Sequence, residues 1–177
     1  GEGIELRLQG ITKEILVLGA TRLEDAKLAS NYNISISVFS MEFAKELEKI
    51  ELTKPLKLHI KLDTGMGRLG FPITEESVDI IERISKFPNV VMEGMYTHFA
   101  KADEIDKSFT EKQIKDYLWM KEKLLEKEVF LMTCDPSAKY YIVKNTKISY
   151  YNLIPAFVKP FIISVYISVF VKYSLYL

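Results

Sequence analysis

The chain has 177 residues, 48% of them hydrophobic and 27% charged, enough for one domain with a sizeable core. Its 24 basic and 24 acidic residues cancel, so there is no basic surplus for nucleic acid and no acidic excess of the kind that marks a disordered tail. A single cysteine, Cys134, excludes an internal disulfide framework and is consistent with a reducing compartment.

The opening Gly1–Leu6 has neither the basic start nor the apolar stretch of a signal peptide, and reads as the inside of a helix rather than a natural beginning. A short helix is predicted around Ile4–Gln9, and Ile15–Leu18 is a compact apolar run that suits a buried strand. Thr21 to Glu24 reads as a capping box, opening a helix to about Ala29. Ile34–Phe39 is β-branched and strand-like, and Ser40 can cap a helix to about Ile50. Leu56–Asp63 is the next strand, followed by a glycine-rich loop at Thr64–Gly70. Glu75–Phe87 forms a helix with Ile80, Ile81 and Ile84 on one face, and Val90–Thr97 is another strand. Ser108 to Glu111 reads as a second capping box. The helix it opens places Ile114, Tyr117, Leu118, Leu124 and Leu125 at helical spacing, and Val129–Met132 is a short strand.

Repeated β-then-α units imply an α/β fold of parallel strands with helical crossovers. About four to five units fit, whereas a closed barrel needs eight over about 250 residues. The pattern alone leaves two options, a small doubly wound sheet or part of a barrel. From about residue 140 the character changes. Phe157–Leu177 is almost wholly apolar, with only Lys159 and Lys172 charged. Its apolar stretch falls short of the roughly 20 residues that span a bilayer unless it runs to Leu177, and its β-branched and aromatic content favours strand. It reads either as a divergent tail foreign to the fold or as a segment in membrane contact.

The chemistry gathers at the middle strand. Leu56, Leu58, Ile60 and Leu62 point one way, and Lys57, His59, Lys61 and Asp63 the other. On an exposed edge strand this alternation is routine. In a barrel strand the polar row faces the interior and must be paired or serve a ligand. The loop after it carries Arg68, a planar fork suited to a carboxylate or phosphate, among glycines that let the backbone turn sharply. His98 ends the next strand, so both side chains are expected at the same rim.

At these residues the chain resembles the alanine racemases. The segment His59-Ile-Lys-Leu-Asp-Thr-Gly-Met-Gly-Arg-Leu-Gly-Phe71 is similar to one in that family, as is Glu93-Gly-Met-Tyr-Thr-His-Phe-Ala-Lys-Ala-Asp-Glu104. Arg68 and His98 stand thirty positions apart, as the family pattern requires. Gly3–Arg7, Ile15–Gly19 and Ser37–Phe39 fit as well, and the likeness fades beyond about Ala138.

The resemblance implies a partial (β/α)8 TIM barrel over residues 1–139, with residues 140–177 as the divergent apolar tail. It implies pyridoxal 5′-phosphate as cofactor, alanine as substrate, a homodimer, a cytoplasmic setting, and D-alanine supply for peptidoglycan, with no metal and no nucleic acid. By it, His98 packs against the cofactor's pyridine ring. Arg68 positions the substrate carboxylate and the cofactor's phenolic oxygen. Lys61 matches a lysine often carried as a carbamate, whose negative charge holds Arg68. Ser137 matches a serine that binds the cofactor phosphate, although Pro136 stands where the family usually has Asn. The Schiff-base lysine and the tyrosine base are expected outside this chain, and no arginine occurs near Asn152, where the family has one for the pyridine nitrogen. The expectation is therefore an incomplete chain, inactive alone. Another barrel racemase, or a non-enzymatic remnant using its apolar tail, is the alternative.

Overall fold

The structure, a computed structural model, describes residues 1–129 and 131–133. The tail at 140–177 and Ser137 lie outside the described residues.

The chain runs α1 (Glu2–Leu8), β1 (Leu16–Val17), α2 (Leu23–Asn31), β2 (Ser35–Val38), α3 (Met41–Glu48), β3 (Leu56–Asp63), β4 (Phe71–Pro72), α4 (Glu75–Ser85), β5 (Val90–Thr97), α5 (Ser108–Glu126) and β6 (Met132–Thr133). The strands form one sheet in the order β1-β2-β3-β5-β6, with β4 a two-residue stub beside β3. Every pairing is parallel.

This order follows the chain without reversal, whereas a doubly wound sheet reverses at a switch point. Successive right-handed crossovers in one direction put the helices on one face, as in an arc of a barrel. That face is aliphatic. Leu56, Leu58, Ile60 and Leu62 are fully buried, packed with Ala26, Leu47, Ile81, Ile84 and Met120. β3 lies between β2 and β5, so the edge-strand reading of its polar row does not hold.

The opposite face of β3 is polar and nonetheless enclosed: His59 is 1% and Lys61 7% exposed. The register of β3 on β5 shifts between Leu58 and His59, leaving Glu93 as the extra residue of a bulge. Its carboxylate lies 2.9 Å from Lys57 Nζ and 3.5 Å from His59 Nε2, and accepts a 2.6 Å bond from the Ser35 hydroxyl. Lys57 also reaches Glu14 at 3.3 Å. Burial disfavours the charged carboxylate, yet donors from His59, Ser35 and Lys57 outweigh it and lower Glu93 from 4.5 to about 2.

Two caps differ from expectation. Ser40 caps α3 by accepting from Phe43 N. The N-cap of α2, however, is Arg22 rather than Thr21, with no side-chain cap bond, and Arg22 instead pairs with Asp25 at 2.9 Å. α5 begins after Lys107, and Asp106 rather than Ser108 supplies the acceptor, taking the Ser108 N–H at 2.9 Å. The buried face of α5 is Thr110, Gln113, Tyr117, Met120 and Leu124; Leu118 and Leu125, two of the residues noted at helical spacing, are exposed.

Glu93→Ala leaves two basic side chains without their shared carboxylate and is expected to cost on the order of 3 kcal/mol in urea denaturation. The stabilisation from ionised Glu93 is fully present above pH 4.5 and lost as pH falls through about 2, so the gap between the wild type and Glu93→Gln should narrow across that window.

Candidate active site

β3 and β5 end side by side, with Leu62 opposite Thr97. Beyond them the chain forms the 64–70 loop on one strand and the segment starting at His98 on the other. Arg68 and His98 therefore leave from the same C-terminal rim, and both are solvent-exposed. Among the described residues, no hydrogen bond or ion pair ties down the Arg68 guanidinium. Lys61 Nζ donates to the Leu62 carbonyl at 2.9 Å and lies 5.3 Å from the centre of the Tyr96 ring. The Tyr96 hydroxyl in turn meets Ser37 Oγ at 2.7 Å and donates to the Leu18 carbonyl at 3.0 Å, linking β5 to β2 and to the end of β1.

The arginine loop is closed on itself. Phe71 pairs with Leu62 and Pro72 with Asp63, so the chain returns to β3 where it left. Asp63 Oδ1 accepts from Gly65 N and Gly67 N, each at 3.0 Å. Burial works against the charged form, but amide donors from Gly67, Gly65 and Met66 hold the Asp63 carboxyl below its ordinary value. Gly70, at φ +134°, passes so close to β3 that a Cβ there would lie 2.5 Å from Asp63 N.

One side chain at this rim has no counterpart in the sequence analysis. Gln113 of α5 is fully buried and bonds to Thr64, His98 and Ala100. A glutamine on a charged amphipathic helix reads as solvent-facing; Tyr117, one turn later on the same face, is the local hint that this face turns inward.

Among the described residues, no three His, Cys, Asp or Glu side chains are grouped to hold a metal, and no helix is long and apolar enough to cross a membrane.

A parallel sheet whose strand order follows the chain, with helices on one side, is part of a (β/α)8 barrel, a fold whose ligand sites lie at the C-terminal strand ends. The family model described as alanine racemase, N-terminal domain, matches residues 1–150, and the chain belongs to that family. The alanine racemase of Clostridium tetani is 44% identical over 130 residues, covering 72% of this chain and 34% of that protein. The solved alanine racemase of Clostridium difficile 630 in complex with cycloserine is 42% identical with a TM-score of 0.72, covering 75% of this chain and 37% of that one. A histidine racemase from Leuconostoc mesenteroides subsp. sake is 27% identical with a TM-score of 0.65, covering 76% of this chain and 39% of that one. The chain thus spans about a third of the length of the curated relatives it matches.

Gly70→Ala forces a methyl group into the backbone of β3 and should open the arginine loop at a cost of about 2 kcal/mol or more. Hydrogen exchange of residues 64–70, together with the urea midpoint, measures it; an unchanged loop would contradict this account of the turn.

Proposed function

We propose that this chain is part of the barrel of an alanine racemase, which interconverts L- and D-alanine with pyridoxal 5′-phosphate, acts in the cytoplasm and supplies D-alanine for peptidoglycan. One observation carries the reading. The extended motif around Arg68 and the element ending in His98 leave neighbouring strands at one rim, in a chain more than 40% identical to alanine racemases.

The rim chemistry suits the cofactor: a flat imidazole, a guanidinium, and a loop whose glycine at 67 leaves open space. In this reading the His98 ring packs against the pyridine. Arg68 pairs with the substrate carboxylate and the phenolic oxygen. Ser137 takes the phosphate. Lys61, carried as a carbamate, keeps an N–H for the Leu62 carbonyl and holds Arg68 by opposite charge. Bound pyridoxal phosphate supplies an electron sink that makes the α-proton of an amino acid removable. This chain's side chains bind and orient; the proton-moving lysine, and a tyrosine from the second subunit of a homodimer, are supplied by other parts of the whole protein.

A racemase for another amino acid is the second reading, favoured by the similarity to a histidine racemase. Assay of the whole gene product separates the two. Conversion of L-alanine to D-alanine is expected, with kcat/KM lowered on the order of a hundredfold by Arg68→Ala. His98→Ala should weaken cofactor binding about tenfold in a visible-absorbance titration. Turnover of a different amino acid with none of alanine would transfer the assignment, and failure to take up the cofactor would remove it. The polypeptide from Gly1 to Leu177 alone is expected to form no D-alanine.

A further inference from the structure

We propose that Gln113 is a positioning residue that fixes the arginine loop against the histidine segment, and with them the seat of Lys61. The inference rests on the functional reading above for its consequence, but its geometry stands on its own. The carboxamide is fully buried, and each polar atom has work. Oε1 accepts from Ala100 N at 3.0 Å, while Nε2 donates to the His98 carbonyl at 3.2 Å and to Thr64 Oγ1 at 3.0 Å. An amide N–H on one side and a carbonyl on the other allow only this orientation of the group.

The bonds continue in one direction. Thr97 Oγ1 donates to the Leu62 carbonyl at 3.1 Å. Its single proton is then committed, so Thr64 must donate in the 2.8 Å contact between the two hydroxyls. Gln113 therefore drives a relay through Thr64 and Thr97 to the Leu62 carbonyl, the same oxygen that holds Lys61 Nζ at 2.9 Å. Packing supports the relay. Phe109, one turn before Gln113, lies so close to the arginine loop that a Cβ on Gly65 would meet its Cζ at 2.9 Å, with Gln113 Cγ at 3.9 Å. A single buried amide thus gathers the Thr64 end of the arginine loop, the backbone of His98 and the anchor of Lys61. Loss of its donors leaves buried oxygens unmatched, which penalises every arm together.

The test uses the whole gene product with Gln113→Met, which keeps the volume and removes all three bonds. Amide exchange at residues 64–70 and 98–101 should rise about tenfold with α4 (75–85) unchanged, and the absorbance band of bound pyridoxal phosphate should shift. Thr64→Val cuts only the arm to β3, so it should loosen 64–70 alone, and Thr64→Ser should restore it. If Gln113→Met does not fold, the Thr64 pair decides. Unchanged exchange at the rim, or an equal rise in α4, overturns the proposal. A rim that loosens as expected in a protein that never takes up pyridoxal phosphate supports the positioning role and defeats the functional reading instead.

Discussion

Charge placed in the middle of a parallel sheet has to be answered on the spot, because neither face offers bulk water. β3 meets this demand along its whole polar row. Lys57 and His59 are answered by Glu93, which the bulge in β5 delivers to the interior as an extra residue. Lys61 is answered by a carbonyl of its own strand and by the Tyr96 ring. These pairings tie β3 to β2, to β5 and to the segment before β1. Since the same strand launches the arginine loop, the rim inherits its register from the polar interior beneath it. The aliphatic face supplies burial, and the polar face decides where the strand stops sliding.

Much of this was legible in the residues. β3 and β5 match their expected bounds, β3 because its apolar and polar residues alternate over eight positions. The shared rim followed from parallel neighbours. The caps failed by one position: the N-cap of α2 falls on Arg22, one residue after Thr21, and the N-cap of α5 on Lys107, where Asp106 takes the Ser108 amide. Leu118 and Leu125 stay exposed because apolar spacing gives a helix two neighbouring stripes, and the sheet chose the one with Tyr117 and Met120. β4 is too short to leave a pattern. Glu93 and Gln113 were invisible as network members because each is polar, and polarity alone reads as exposure until the long-range partners are known.

The proposed division of labour follows from where these groups lie. The described part of the barrel holds paired strands and a loop pinned at both ends, which set where an imidazole and a guanidinium leave the sheet. Such a part can be shared by racemases of different amino acids, in keeping with similarity both to alanine racemases and, more distantly, to a histidine racemase.

The glycine-rich turn carries a last consequence. Turns of this composition often cup a phosphate with their amide hydrogens. Here those hydrogens already converge on the carboxylate of Asp63, an internal anion seated where an external one would go. With the amides of residues 65 and 67 thus occupied, a negative group arriving at that part of the turn meets the arginine fork at 68 in their place.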